Sequence, residues 1–310
     1  MNAASASKPW LLLGAGLALA AGLPWLASEF MVSVALSCLM YIALATSWSL
    51  FCGATRYLSL ATSAFFGLGA YASATLLEVL PWPLVILCGA AVASSVAVLM
   101  GAAVLHLRGT YFAVLTFGMT ELIRHAVTFV EKQVSGTVGR VLAVVPSNET
   151  VYLTMLAIAG AAIATAMLVR RSRFGLALAG IGADEQRAQT LGVDTRRVKI
   201  AGFALTAAFA GAAGAAMAVR WTYIEPAAVF SPFIGFQTVL IALIGGAASI
   251  GGPVLAAVVF SLLAETLRLQ LPYGYMMVLG LLLILCVMYL PNGLASLWQR
   301  RALARERSHE

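Results

Sequence analysis

The sequence consists mainly of long apolar segments that follow one another with short polar breaks. About 20 apolar residues cross the hydrocarbon core of a bilayer as an α-helix, and ten segments approach or reach that length. They lie at residues 10–27, 31–51, 58–77, 84–105, 111–130, 151–169, 200–220, 233–244, 253–271 and 276–290. Because the segments are continuous rather than alternating, a membrane β-barrel is excluded. The sequence therefore predicts an all-α, polytopic membrane helix bundle with about ten transmembrane helices.

Composition indicates that lipid is the solvent of this chain. Only 10% of the residues are charged and 62% are hydrophobic, whereas a soluble domain carries about 25% charged residues. We expect a single membrane domain over residues 1–310 that is surrounded by membrane lipid. The eighth segment, 233–244, is short, and a half-helix or re-entrant segment is an alternative to a full span there.

The positions of the basic residues predict that both termini are cytoplasmic. With the N-terminus inside, the inner segments hold 14 of the 19 lysines and arginines. One precedes the first span, the next two inner loops hold one each, residues 170–199 hold seven, and the tail at 295–310 holds four. The outer loops hold few cations and most of the acidic residues, as the positive-inside rule requires.

The first segment has a second interpretation. Lys8, Pro9 and Trp10 precede an apolar run, which is also typical of a signal peptide. The apolar region is long for a signal, and another hydrophobic segment follows at once, which favours a first span.

Neither the net charge nor the cysteines indicate a further ligand. A net charge of +7 in a soluble protein would suggest nucleic acid, but here the cations follow the topology, so no nucleic-acid partner is expected. The cysteines lie inside apolar segments without metal-ligand spacing, and we interpret them as small packing residues. No catalytic residue and no metal site are expected. The cysteines are Cys38, Cys52, Cys88 and Cys286.

The longest charged stretch lies near the middle of the chain, at residues 170–199. Residues 174–191 are modestly amphipathic and predict one short helix outside the membrane. Gly192 follows as a helix stop. On composition alone, this stretch is an ordinary positive-inside loop with a solvated helix.

Glycines mark two kinds of feature. Gly67, Gly69, Gly211 and Gly214 lie within apolar segments and predict close contact between helix backbones. The cluster of Gly245, Gly246, Gly251 and Gly252 before Pro253 breaks helix continuity. Such a break is either a tight turn at the membrane surface or non-helical backbone that lines a substrate path.

Charges inside the predicted spans are sparse. Glu121, Arg124 and His125 lie at i, i+3 and i+4, and therefore share one helix face. They form either a self-neutralised interfacial cluster or a gate that contacts ligand. Glu265 and Arg268 make a similar pair near the outer end of the ninth span.

Several stretches in the same order resemble branched-chain amino acid permeases of the LivM type. Residues 58–71, L-S-L-A-T-S-A-F-F-G-L-G-A-Y, resemble the family's L-S-L-G-H-A-A-F-F-G-I-G-A-Y, with Ala61-Thr62 in place of Gly-His. Residues 108–116 resemble R-G-x-Y-F-A-x-L-T, the glycines at 245–253 resemble G-G-x-G-x-x-x-G-P, and 289–294 match the family's ending. Residues 186–192 keep the Ala and Gly of the E-A-A-x-x-x-G loop of ABC importer permeases, although the first two positions differ.

The resemblance implies an inner-membrane permease subunit of an ABC importer. Its partners would be a LivH-like second permease subunit, two ABC ATPase subunits and a periplasmic solute-binding protein. The chain has no G-x-x-x-x-G-K-S/T motif, so no cofactor is expected on it, and the ATPase subunits would bind ATP and Mg²⁺.

The resemblance also implies two sets of functional residues. The loop 170–199 would couple to the ATPase, and the break and neighbouring spans would line the translocation path. The coupling residues would be Phe174, Asp184, Glu185, Arg187, Leu191 and Gly192. The path residues would be Phe65, Phe66, Gly67, Glu121, Gly245, Gly246 and Gly251.

The sequence leaves the solute open. Branched-chain amino acids, urea or short amides, and organic or aromatic acids are all substrates within this family. Two functions of other classes also remain. One is an ion-coupled secondary transporter acting alone, for which Glu121 is the one plausible intramembrane carboxylate, and the other is a membrane scaffold.

Overall fold

A computed structural model describes residues 3–271, apart from 108, 143, 144, 222 and 248, together with 274, 277, 278, 280 and 281. Helices dominate this part of the chain, and one two-stranded sheet joins two loops. The helices are α1 (Ala3–Ala21), α2 (Leu23–Leu26), α3 (Glu29–Trp48), α4 (Thr62–Leu76), α5 (Trp82–Val104), α6 (Thr110–Ser135), α7 (Asn148–Arg171), α8 (Arg173–Ala183), α9 (Glu185–Thr190), α10 (Thr195–Ala218), α11 (Pro226–Val229), α12 (Pro232–Gly245) and α13 (Gly251–Gln270). A π-helical turn, Ser49–Gly53, continues α3.

The architecture confirms the prediction of an all-α polytopic membrane bundle. Within the described residues, seven helical segments are long and apolar enough to cross a membrane. They correspond to predicted spans two and four to nine. The short eighth span gains length because α11 and α12 together form the segment Pro226–Gly245. The first predicted span falls on α1 and α2, and the third on the 15-residue α4, and neither is among the seven. The tenth, 276–290, lies largely outside the described residues and the tail 295–310 lies wholly outside them, so the total of ten stays a prediction.

Side-chain caps begin several of the helices. Ser28, Ser147 and Ser172 each accept a hydrogen bond from a backbone N–H in the first turn of α3, α7 and α8. Asp184 and Asp194 do the same for α9 and α10. These caps satisfy N–H groups that have no partner within the helix, and they set where each segment enters or leaves the bundle.

Helix α10 forms the centre of the bundle, between α4 and α5. Of the 18 most apolar consecutive residues in α10, 72% are buried, whereas the same fraction for α6 is 11%. A Cβ atom on Gly69 would lie 1.9 Å from the carbonyl oxygen of Gly211, and one on Gly214 would lie 1.9 Å from that of Phe66. The backbones of α4 and α10 therefore touch where the sequence predicted close contact, as small residues allow in membrane bundles.

The successive long helices run in alternating directions, which gives the bundle two ends. The α8–α9 end also carries the segment 53–61, Leu105 and the turn between α12 and α13. The β1–β2 end carries strands β1 (Arg140–Val141) and β2 (Tyr223–Ile224), which pair antiparallel. The buried Glu131 carboxylate there accepts hydrogen bonds from Tyr71 at 3.1 Å and the Gly139 N–H at 3.0 Å, so α4 and α6 are joined at this end.

Candidate functional site

The charged stretch folds into two short helices rather than the single helix predicted over residues 174–191. Helix α8 ends at Ala183 and α9 begins at Glu185, with Asp184 in an extended conformation between them. The Asp184 carboxylate accepts hydrogen bonds from the N–H groups of Gln186 and Arg187, at 3.0 and 3.1 Å. A short acidic side chain that bonds to the following backbone favours a new helix start over continuation, which explains the break.

Gly192 ends α9 as predicted. Its φ is +84°, a left-handed conformation that glycine adopts with little penalty. The next N–H, that of Val193, reaches back to the carbonyl of Ala188 at 3.1 Å. This closing bond is typical of a glycine-terminated helix, and it turns the chain toward α10.

A buried lysine ties the charged stretch to the bundle. Helix α10 begins at Thr195, before the predicted start at residue 200, so Lys199 lies inside the helix and is only 4% exposed. Its Nζ donates to the carbonyl of Leu105 and to Oε1 of Glu185, both at 2.7 Å, and to the Tyr57 hydroxyl at 3.1 Å. Lys199 thereby connects α9, α10 and the ends of α3 and α5.

Tyr57 completes this cluster. Its hydroxyl donates to Oε2 of Glu185 at 2.8 Å, and the Lys199 ammonium lies 4.7 Å from the ring centroid. Burial and then the hydrogen bond to Glu185 raise the pKa of the Tyr57 phenol above its ordinary value. Tyr57 therefore stays protonated at neutral pH and keeps its hydrogen bond to the carboxylate. We call these three residues, Tyr57, Glu185 and Lys199, the Lys199 cluster.

The Lys199 cluster was not predicted, although the sequence contains a signal for part of it. Phe203, Thr206 and Ala210 are buried on one face of α10. Lys199 lies one helical turn before Phe203 and therefore on the same face. Nothing in the sequence indicated Tyr57 or Leu105 as its partners, because they come from distant parts of the chain.

The predicted coupling residues lie on one segment but face different directions. Glu185 points inward to Lys199, so its position favours an internal tie over the expected direct contact with a partner. Arg187 is 85% exposed and Leu191 is 83% exposed. Phe174 is half-buried and packs against the bundle core. Leu176, which was not selected from the sequence, is also exposed, so the outward surface is both apolar and basic.

The predicted path residues on α4 lie in packed surroundings. Phe65 and Phe66 are fully buried. The Phe65 ring packs edge-on against Phe203 at 5.3 Å, and the Phe66 ring against Trp221 at 6.1 Å. Gly67 lies against the ring of Phe230. These contacts favour a structural role for this stretch in the conformation observed, and its place on the path stays a prediction.

Glu121 is neutralised within its own helix. Its carboxylate lies 2.6 Å from the Arg124 guanidinium, and both side chains are about a quarter exposed. Arg124 lies in turn 3.4 Å from the His125 ring. This geometry favours the interfacial cluster over a lone carboxylate available for ion coupling.

The glycine-rich break forms a tight turn at the α8–α9 end. Gly246 has a φ of +86°. The backbones of Gly245 and Gly252 touch, since a Cβ on Gly252 would lie 1.9 Å from the Gly245 oxygen. The Ser249 hydroxyl accepts a hydrogen bond from the Gly252 N–H in the first turn of α13 at 3.0 Å, and Arg170 donates to the Ser249 carbonyl at 3.0 Å. Gly251 has open space around it. The structure thus has the geometry of the tight turn, and a place for these glycines on the path stays a prediction.

A cavity of about 450 Å³ lies between α3, α10, α12 and α13. It opens near Ser33 and Arg220 at the β1–β2 end, and Arg220 donates a hydrogen bond to the Ser33 hydroxyl. Its floor includes Tyr41, whose hydroxyl donates to Oε1 of Gln237 at 2.8 Å. The sequence alone gives no sign of this cavity because its lining residues come from four separated parts of the chain.

These features define a multi-pass membrane protein with a polar cavity at one end and an anchored charged segment at the other. The chain belongs to the family described as branched-chain amino acid transport system / permease component, whose model matches residues 30–288. It is a LivM-type permease and a protein of the bacterial inner membrane.

Two curated relatives align along nearly the whole chain. One is the high-affinity branched-chain amino acid transport system permease protein LivM of Escherichia coli (strain K12), 27% identical over 325 aligned positions. The other is the protein of the same name from Salmonella typhimurium (strain LT2), 26% identical. In both cases the alignment covers 94% of this chain and 76% of the relative. No solved structure matches the chain.

Proposed function

We propose that this chain is the permease subunit of an ATP-driven ABC importer that moves branched-chain amino acids or a related small polar solute into the cytoplasm. The observation that carries the proposal is the α8–α9 segment. It presents Leu176, Arg187 and Leu191 outward while Glu185 binds Lys199 at the start of the central helix. The segment exposes one side to a soluble partner and is hydrogen-bonded to the bundle core on the other. It is therefore suited to transmit the movement of that partner. The names of the two relatives support the solute class.

Charge distribution supports a cytoplasmic α8–α9 end. Arg56 and the seven basic residues of 170–199 lie there, whereas Glu29, Glu78 and Glu225 lie at the β1–β2 end. Under the positive-inside rule the basic end faces the cytoplasm. The cavity then opens toward the periplasm, where a solute-binding protein would deliver its ligand.

The proposed mechanism is alternating access. ATP binding by two partner ATPase subunits would move the α8–α9 segment, and the Glu185–Lys199 pair would pass that movement to α10. Because α10 touches α4 backbone to backbone at Gly69 and Gly214, the two helices would move together. A LivH-like second permease subunit would complete the path, as the resemblance to ABC importers implies.

Reconstitution in proteoliposomes tests this function. We expect uptake of L-leucine to require ATP, the partner ATPase subunits, the second permease and the binding protein encoded with this chain. The isolated chain should show no uptake under a sodium or proton gradient. Gradient-driven uptake by the isolated chain would contradict the proposal and support an ion-coupled secondary transporter.

The conformation of Gly192 gives a test of the coupling segment. Replacing Gly192 with valine should lower uptake per ATP hydrolysed, because a non-glycine residue in left-handed backbone costs about 1–2 kcal/mol and would disturb the end of α9. Gly192 has open space around it, so the change creates no clash and the bundle should stay folded. The matched control is Gly192→Asn, since asparagine tolerates this conformation. Equal uptake per ATP for the valine variant and the wild type would count against the role of this turn.

A further inference from the structure

The cavity between α3, α10, α12 and α13 reaches deep into the membrane part of the bundle. Tyr41 lies 12 residues beyond Glu29, the first residue of α3, which is about 18 Å along the helix axis at 1.5 Å per residue. The hydrocarbon core is about 30 Å thick. The floor therefore lies near the middle of the bilayer. The volume of about 450 Å³ falls within the range of about 300–1,000 Å³ typical of small-molecule sites.

Two polar groups of the cavity have unused hydrogen-bonding capacity. The Ser261 side chain is 5% exposed, and within the described residues its hydroxyl has no partner beyond the nearby Cys38 thiol, a weak one. The Gln237 amide uses its oxygen to accept from Tyr41, while its nitrogen makes no hydrogen bond in the part of the chain that the structure describes. Buried polar groups in a membrane are costly when unpaired, so both groups indicate a ligand.

The mouth of the cavity carries both signs of charge. Arg220 and Arg268 contribute two guanidinium groups, and Glu265 contributes one carboxylate. Arg220 is positioned by its hydrogen bond to Ser33, whereas Glu265 and Arg268 share one face of α13 at i, i+3. Guanidinium groups bind carboxylates in charge-assisted hydrogen bonds, and a carboxylate binds an ammonium group in the same way. This set fits a solute that carries both groups.

Much of the remaining wall is apolar. Met40, Met217, Phe233 and Ile234 line the space between the charged mouth and the polar floor. Methionine side chains adapt to ligands of different shape. An aliphatic side chain of a few carbons would find apolar contacts here, while a larger charged solute would leave its polar groups unpaired.

We propose that this cavity is a solute-binding site within the single permease chain, and that it takes a small zwitterion with an apolar side chain on its way from the periplasm. Arg220 and Arg268 bind the carboxylate, Glu265 binds the ammonium group, and Gln237 with Ser261 forms a polar floor that the solute reaches next. The site rests on the proposed transport function. It differs from the path predicted from the sequence, since it contains none of the residues selected there.

Thiol labelling of the assembled importer tests the site without relying on transport. In a Ser261→Cys variant, a small cationic methanethiosulfonate added from the periplasmic side should modify the new thiol, with the wild type as the background for the native cysteines. L-leucine at ten times its dissociation constant should slow the modification about tenfold, because only the unoccupied fraction reacts. Isocaproate and leucinamide, which each lack one charged group of leucine, should protect at least about tenfold less well at equal concentration.

A second pair of variants ties protection to the polar floor. In the Ser261→Cys background, Gln237→Leu should abolish protection by leucine. Thr238→Val should leave it intact, because Thr238 bonds to the Ile234 carbonyl within its own helix and does not line the cavity. Modification that leucine never slows, or an introduced thiol that never reacts, would overturn the site.

The two proposals fail separately. If ATP drives leucine uptake by the wild-type importer but leucine gives no protection, the site is wrong and the transport function stands. If leucine protects the introduced thiol while uptake needs no ATPase, the site stands and the coupling is wrong.

Discussion

Replacing Lys199 with methionine is expected to abolish ATP-driven uptake and to destabilise the α8–α9 end of the bundle. Methionine keeps most of the length of the side chain but removes its charge and three hydrogen bonds, to Leu105, Glu185 and Tyr57. The Glu185 carboxylate, which is only 10% exposed, then loses the Lys199 ammonium that lies 2.7 Å away. Breaking a buried ion pair in this way costs about 3–5 kcal/mol. We expect a clear fall in the thermal unfolding midpoint of the assembled importer, measured beside uptake per ATP.

A matched control distinguishes the loss of Lys199 itself from the loss of a positive charge elsewhere on α10. Arg197 lies two residues earlier on the same helix, pairs with Asp194 at 3.1 Å and is 89% exposed. Exposed pairs of this kind contribute little to stability, so Arg197→Met should change the unfolding midpoint only slightly. If the Lys199 and Arg197 variants lose equal stability and equal uptake, Lys199 is not a special link.

A double variant tests whether the Glu185 charge causes the damage once Lys199 is gone. Glu185→Gln combined with Lys199→Met removes both charges, and the loss of stability should be smaller than the sum of the two single losses. Such a cycle measures the interaction between two residues in contact. Recovery of stability without recovery of uptake would indicate that the charged pair itself transmits movement, since the fold would be intact without it.

Only the local features of the α8–α9 segment could be predicted, because the residues that it contacts are distant in the sequence. The segment, its solvent-exposed surface and the stop at Gly192 followed from local pattern, because a charged stretch between apolar segments and a glycine after an amphipathic run are local signals. The break at Asp184 was missed, although aspartate favours helix starts. Glu185 was expected to contact a partner because the resemblance to ABC importer permeases places it in the coupling loop, and no local feature showed that Lys199 lies opposite.

The membrane architecture was easier to predict than the cavity. Long apolar segments and small residues specify spans and their close contacts, so the seven described spans and the contacts of Gly69 and Gly214 agree with prediction. The cavity gathers Ser33, Gln237 and Arg268 from three helices and Arg220 from the turn after α10. The sequence singled out Arg268 only as the neighbour of Glu265, and the other three had no distinguishing local pattern. Only the packing of the helices makes them neighbours.

Replacing Gly69 with alanine is expected to destabilise the bundle strongly, although the change adds only one methyl group. The new Cβ would lie 1.9 Å from the Gly211 oxygen and 2.6 Å from its carbonyl carbon. Both atoms belong to backbone at the centre of the bundle, so α4 and α10 must separate along their contact. Overpacking typically costs about 1–3 kcal/mol and occasionally more. We expect a lower thermal unfolding midpoint and a lower yield of folded protein in detergent.

Two further glycines give a graded series. Gly118 on α6 has nothing within 4 Å, so Gly118→Ala should leave the unfolding midpoint unchanged or raise it slightly, because alanine favours helix more than glycine. On Gly89 the nearest atom is the Ala215 side chain at 2.8 Å, so Gly89→Ala should fall between the other two. Equal midpoints for the Gly69 and Gly118 variants would show that α4 and α10 are not in tight contact.

The same series reports on coupling, because α10 carries Lys199 at its start and the contact with Gly69 near its middle. If the contact moves α4 with α10, a Gly69→Ala importer that still folds should hydrolyse ATP with less uptake per ATP, whereas the Gly118 variant should match the wild type. If a Gly69 variant loses stability but keeps the wild-type ratio of uptake to hydrolysis, Gly69 has a role in packing and none in coupling. Movement from the α8–α9 segment would then have to reach the cavity along α10 alone, which lines the cavity through Met217 and leads directly to Arg220.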